Sequence, residues 1–338
     1  MRRFSSYGPV DKELHYYAPR EELINKGLLQ LTCENPEKSG HYITVWAPRQ
    51  TGKTWALNNI LFRLRFNKNF DVVKLELEIL KTEKNVGNVL SYIARHLVRD
   101  LNKKIQENVD TLEKFQEIFL KSELEKPLIL ILDEFDALEE DAISAVVGAF
   151  RNIYNIRQGQ TDKKTWEKKY LLHGVALIGV RSVLGIENEK GSPFNVQRSL
   201  HIPNLTFDEV EEMFKWHERE SGQIVEQEVI DRLFYETNGQ PGLSCWFGEL
   251  LTEGWEKLPV TSDMPVDMKL FRRIYAAAES MLPNNNILNI ISKARQKPYK
   301  QTVLDMFRTD EKLLFKYDDS EYSLHLRNFQ MQQKSHKK

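Results

Sequence analysis

The 338-residue sequence has little cysteine, no long apolar run and no excess of either charge. Its two cysteines, Cys33 and Cys245, are too few for a disulfide framework and fit a reducing compartment. The most apolar stretch, PLILIL at residues 127–132, is far too short to cross a bilayer. The start MRRFSSYGPVDKEL has no apolar segment behind its arginines and does not read as a signal peptide. A cytoplasmic protein without membrane contact is therefore expected. Lys+Arg 48 against Asp+Glu 49 leaves a net charge of −1, which advertises neither nucleic acid nor a basic partner, although a local basic face would be averaged away. Hydrophobic residues at 41% and charged residues at 29% argue against long disorder. GxSxG, HExxH and paired CxxC are all missing, which removes a serine-hydrolase elbow, a zincin helix and a zinc ribbon. His173, His201 and His217 are isolated along the chain and read as structural or solvated.

What is there has room for about two domains. REELINKGLLQL begins a helix near Arg20 with a broad apolar face. HYITVWA (residues 41–47) is a short apolar run, followed by a loop and a helical pattern over 54–66. In DVVKLELEIL (71–80), Val73, Leu75, Leu77 and Ile79 alternate with Lys74, Glu76 and Glu78. This predicts a strand with one wet face, at or near a sheet edge. PLILIL and VALIGV (175–180) show no alternation and read as strands buried on both faces. Strands alternating with helices imply an α/β fold: a parallel sheet sandwiched by helices. RQGQTDKKTWEKK (157–169) reads as a solvated loop or a partner-contact insertion. Beyond Leu205 the pattern is helical. Thr206 and Glu209 form a capping box, Asn238–Gly239 suit a left-handed cap, and Pro241 suits a first helical turn.

The strongest chemical signal is APRQTGKT (47–54), set between a strand and a helix. In a phosphate-binding loop the backbone amides wrap the phosphates and the helix N-terminus adds positive potential. A lysine then reaches the terminal phosphates, and the next hydroxyl completes a Mg²⁺ shell. Pro48, Arg49, Gln50, Thr51, Gly52, Lys53, Thr54 and Trp55 would line that loop, with Lys53 on the phosphates and Thr54 on the metal. Ala47 stands where the strict motif has its first glycine.

The second signal is LILILDEFD, which places Asp133 and Glu134 at the carboxyl end of a buried strand. Two acids there are costly unless they meet a cation or ordered water. Asp133 would hold Mg²⁺, and Glu134 would orient or deprotonate the attacking water. Asp136 either joins them or caps the following helix.

These blocks, with GPVDKELHYYAPREEL, VALIGVRS, GSPFNV, LTFDEVEEMF and TNGQPGL, resemble the AAA-ATPase-like family of phosphate-loop NTPases, near its STAND and archaeal-ATPase branches. Members often carry PRQTGKT with alanine first. The resemblance implies ATP and Mg²⁺ as cofactors and Arg20 in a segment enclosing the base. It implies Arg181 as a sensor of the γ-phosphate, and Gly239, Gln240 and Pro241 as a GxP motif approaching the adenine. Arg181 could instead be a surface cation, and GQP a plain interhelix turn. No arginine follows GQPG at the usual second-sensor position, which favours the STAND-like branch.

The expected organisation is a nucleotide-binding core over 1–205, a helical lid over 206–264, and an incomplete winged-helix-like segment with a frayed tail over 265–338. The resemblance implies an enzyme: an ATP-binding, slowly hydrolysing switch acting on a protein partner or on itself by self-association. The alternatives are a DNA-associated motor and a nucleotide-stabilised scaffold with negligible turnover.

Overall fold

The structure is a computed structural model that describes residues 1–103, 108–179, 198–296, 300–301 and 304. In chain order the elements are α1 (Glu21–Thr32), β1 (Tyr42–Trp46), α2 (Lys53–Phe66), β2 (Asp71–Glu76), α3 (Val86–Asp100), α4 (Leu112–Glu117), β3 (Leu128–Asp133), α5 (Glu140–Gly159), β4 (Leu172–Gly179) and β5 (Arg198–His201). There follow α6 (Phe207–Ser221), α7 (Gln227–Thr237), α8 (Pro241–Thr252), the short strands β6 (Gly254–Trp255) and β7 (Leu258–Pro259), α9 (Met268–Ser280) and α10 (Asn285–Ala294). Among the described residues no helix is long and apolar enough to cross a membrane. The segment expected to resemble a winged helix lies mostly outside the described residues.

The chain divides into two compact units. One comprises Glu21–Ala47 and Ala56–Ile202; the other gathers Met1–Arg20, Pro48–Trp55 and Pro203–Lys338.

The first unit is the expected α/β sandwich. Its five strands lie in the order β2-β3-β4-β1-β5, and every pairing is parallel. The alternation of side chains splits the central strands between two cores. Leu128, Leu130, Leu132, Val175 and Leu177 face α3, α4 and α5, while Ile129, Ile131, Ala176 and Ile178 join Ile43, Val45 and residues of α1 and α2. Both faces are covered, which is why β3 and β4 carry continuous apolar runs. β2, with its alternating charges, lies at the sheet edge as predicted. It ends at Glu76, and Glu78–Leu80 turn into a 3-10 helix, so the strand is shorter than the alternation suggested. β5 is an addition: four residues with no apolar run, held beside β1 by register rather than by composition.

The second unit packs α6, α7, α8 and α9 around a core that also takes in Phe4, Tyr16 and Ala18 from the amino-terminal segment. Thr206 and Glu209 form the capping box that opens α6, and Pro241 sits in the first turn of α8. Asn238 (φ 48°) and Gly239 (φ 66°) turn the chain between α7 and α8. Gly239 is needed for its size as well as its φ: a Cβ there would lie 2.1 Å from the Leu205 carbonyl oxygen. The hairpin of β6 and β7 interrupts what the pattern after Leu205 had made wholly helical; Gly254, at φ 75°, opens it.

Candidate functional site

The phosphate-loop residues Pro48–Trp55 belong to the same compact unit as the amino-terminal segment and the helices after Pro203. Within the loop, Gln50 and Gly52 take positive φ values of 58° and 83°, so the backbone makes two left-handed steps over three residues. Thr51 is fully buried and its hydroxyl donates to the Pro48 carbonyl at 2.8 Å, closing the loop on itself. Ala47 is also fully buried, a position where a methyl group is accommodated. Lys53 opens α2, and no acidic side chain occupies the first turn to neutralise its positive end.

Two side chains hold this loop from outside it. Arg20, itself at φ 54° and nearly buried, donates from Nη1 to the Thr51 carbonyl at 3.3 Å. From Nη2 it donates to the carbonyls of Pro203 at 2.7 Å and Asn204 at 3.2 Å. Burial pulls this guanidinium below its ordinary pKa, and the Glu209 carboxylate, 3.6 Å from Nε, opposes that pull. A left-handed arginine is a strained backbone step, and its three carbonyl contacts hold it there. Gln240 donates from Nε2 to the carbonyls of Arg49 and Gln50, both at 3.2 Å. Its Oε1 accepts from the Leu243 N–H, capping α8. The Gly242 N–H donates to the Gln50 carbonyl at 3.0 Å. The central residue of GQP thus meets the phosphate loop's backbone. Trp55 completes the enclosure: Tyr17 packs on it at 4.8 Å, its Nε1 donates to the Ala18 carbonyl, and the Lys12 ammonium lies over its ring.

In the other unit, Asp133 ends β3 and is buried. Its Oδ1 accepts the Glu134 N–H at 3.0 Å, and its Oδ2 lies 2.9 Å from the Lys74 ammonium. Glu134 stands at φ 52° and is partly exposed, so the chain turns sharply straight after the strand. Asp136, in the 3-10 turn that follows, sits against Gly179 at the end of β4. The alternation puts Lys74 on the wet face of β2. In the structure β2 and β3 pair in parallel with Lys74 opposite Ile131, and its long side chain reaches Asp133 and, at 3.3 Å, Glu76. Burial works against the Lys74 charge, but Asp133 and then Glu76 outweigh it, so the ammonium titrates above its ordinary value. No sequence motif singles this lysine out; only the register of β2 on β3 does. Arg181 lies outside the described residues, two positions beyond the end of β4, which is the strand paired to β1.

A model of the AAA-like domain family matches residues 6–246. The Walker-type ATPase paby2304 of Pyrococcus abyssi shares the fold, with a TM-score of 0.53 at 15% identity over 97% of this chain and 93% of that one. Two further solved structures overlap more loosely. The RuvB Holliday junction branch migration motor of Thermotoga maritima has a TM-score of 0.46 at 13% identity, over 92% of this chain and 88% of its own. The ORC1 protein of Aeropyrum pernix, solved in complex with DNA, has a TM-score of 0.46 at 15% identity, over 93% and 82%. No curated protein matches the chain.

Proposed function

Because the chain belongs to the AAA-like domain family, we propose that it is an ATP-driven switch, close to the STAND type, that binds and slowly hydrolyses ATP and signals the nucleotide state through its helical region. The observation that carries this reading is the hydrogen bonding of Gln240, Gly242 and Arg20 to the carbonyls of Arg49, Gln50 and Thr51. Those peptide groups belong to the loop whose amides would wrap the phosphates. A phosphate that reorients the loop must act on α8 and the amino-terminal segment, because both hold the loop by its backbone.

The residues present suit nucleotide and metal. The loop has left-handed steps at Gln50 and Gly52, a lysine opening a helix and a hydroxyl after it. Asp133 is a buried carboxylate already in contact with one cation, Lys74. Lys53 would neutralise the terminal phosphates, Thr54 and Asp133 would serve Mg²⁺, and Glu134 would take the proton of the attacking water. Mg²⁺ would supply charge neutralisation on the phosphate oxygens. Arg181 would sense the γ-phosphate, Arg20 would help enclose the base, and Gly239, Gln240 and Pro241 would approach the adenine, with Arg20 and Gln240 also holding the loop backbone. The partner would be a protein or a second copy of the chain.

The test is hydrogen exchange of the full chain with Mg·ATP, with Mg·ADP and without nucleotide. The expected result is slower exchange in peptides spanning 237–243 with Mg·ATP than with Mg·ADP. Protection confined to residues 48–55 would contradict the switch. A many-fold rise in turnover on adding DNA would favour the motor instead.

A further inference from the structure

The turn between α1 and β1 gathers three side chains that no part of the nucleotide chemistry uses. The ligand atoms of Cys33, Glu34 and His41 all lie within 4.8 Å of one another, and the Cys33 Sγ to Glu34 Oε2 distance is 3.4 Å. Two ligands bound tetrahedrally to one zinc ion, at about 2.3 Å for sulfur and 2.0 Å for oxygen, stand about 3.5 Å apart. The Cys33 thiol donates to Glu34 across this distance, and an ion replacing the thiol proton would need little movement of the two side chains.

The backbone fixes both ends of this turn. Cys33 closes α1 at φ 67°, a left-handed position for a non-glycine residue, with its N–H donated to the Leu29 carbonyl at 2.8 Å. His41 donates its N–H to the Gln30 carbonyl and accepts the Val175 N–H, so it is tied to both α1 and β4. Between them Gly40 passes so close to the helix end that a Cβ there would lie 2.1 Å from the Leu31 carbonyl oxygen. Cys33 and His41 are seven residues from being neighbours on the chain, yet the fold presents them together. Cys33 and His41 are partly exposed and Glu34 is exposed, so an ion can enter.

We propose that Cys33, Glu34 and His41 form a divalent transition-metal site, with zinc as the ion it suits best and water as the fourth ligand. The donor set selects the metal. A thiolate with an imidazole and a carboxylate suits zinc or cobalt(II), and the sulfur disfavours Mg²⁺ and Ca²⁺. Binding releases the Cys33 thiol proton to solvent as the Sγ–metal bond forms. Cys33 and Glu34 follow the end of α1 and His41 leads into β1, so the ion would staple α1 to β1.

The test is a cobalt(II) titration of the chelator-treated full chain without nucleotide. One equivalent is expected to bind with a sulfur-to-cobalt charge-transfer band. Cys33→Ser should remove that band and weaken binding by on the order of a hundredfold or more, at least what outer-shell substitutions cost in metal sites. Cys245→Ser should leave the band intact; that thiol is packed in the helical unit, where burial and the neighbouring Glu249 push it up to about 12. Alkylation of Cys33 in the unaltered chain gives a second readout: zinc should slow it at least tenfold. Absence of the band in the unaltered chain, its survival in Cys33→Ser, or alkylation indifferent to zinc would each overturn the proposal.

Discussion

The Lys74 ammonium lies 2.9 Å from the Asp133 carboxylate, so the acid proposed for Mg²⁺ already has a cation beside it. A second cation on the same carboxylate must work against the first. Replacing Lys74 by Met keeps much of the apolar stem and removes that repulsion. Lys74→Met is expected to lower the Mg²⁺ concentration for half-maximal ATP turnover about fivefold, the equivalent of ~1 kcal/mol. It should also destabilise the metal-free protein by about 1–3 kcal/mol, because Asp133 is left buried without its partner. A magnesium titration of turnover and a denaturant curve check the two effects. An unchanged magnesium requirement would separate Lys74 from the metal.

Asp133 and Glu134 should divide binding from chemistry. Glu134→Gln keeps size and polarity while removing the base, so ATP should still bind while hydrolysis falls on the order of a hundredfold or more. Asp133→Asn should instead raise the Mg²⁺ requirement. Normal phosphate release by Glu134→Gln would end the water-activating role.

Gln240 carries both a cap and the link to the phosphate loop. Gln240→Ala removes the α8 cap, worth about 0.5–2 kcal/mol, and releases the Arg49 and Gln50 carbonyls. The expected outcome is a lower melting temperature together with loss of nucleotide-dependent protection in residues 237–243. A variant that is destabilised yet still shows full protection would confine Gln240 to a capping role.

His173 predicts an acid sensitivity. Its ring is fully buried, with Nδ1 2.7 Å from the Thr165 hydroxyl and Nε2 3.2 Å from the Thr32 carbonyl. Burial first, then the nearby Arg157 charge, hold its pKa down to about 3, although the Thr32 carbonyl pulls the other way. Lys168, held down to about 8 by burial and by Arg157, adds to the positive surroundings. The folded pKa is depressed, so the unfolded chain takes up a proton near pH 6.5 that the folded chain refuses until about pH 3. His173 thus contributes stability that is complete above pH 6.5 and is lost as pH falls through that window, at most about 1.4 kcal/mol per pH unit. Denaturant curves between pH 7 and pH 4 should fall more steeply for the native chain than for His173→Gln. Parallel curves would remove His173 from the acid response.

The features legible in the sequence were those encoded locally. Gly52-Lys53-Thr54 between an apolar run and a helical pattern, and Asp133 closing a six-residue apolar strand, are signals a few residues long. The edge position of β2 followed from its alternation, and the α6 capping box from Thr206 and Glu209. What escaped depends on register and reach. Lys74 meets Asp133 because β2 pairs with β3 in one register, and nothing in DVVKLELEIL says which acid the lysine will find. The hold of Arg20 and Gln240 on the phosphate loop joins residues 31 and about 190 positions apart. Cys33, Glu34 and His41 match no metal motif, since their convergence comes from a left-handed helix end and a close glycine. RSLH of β5 is too short and too polar to stand out as a strand.

The central claim is that residues 48–55 bind the phosphates of ATP, and calorimetric titration of Lys53→Ala against the unaltered chain tests it most directly. Charge-assisted hydrogen bonds contribute roughly 1.5–3 kcal/mol, so the substitution should weaken ATP binding by about ten- to a hundredfold in a chain that remains folded. Equal ATP affinity in the two proteins would contradict the assignment of the phosphate loop and the switch built on it.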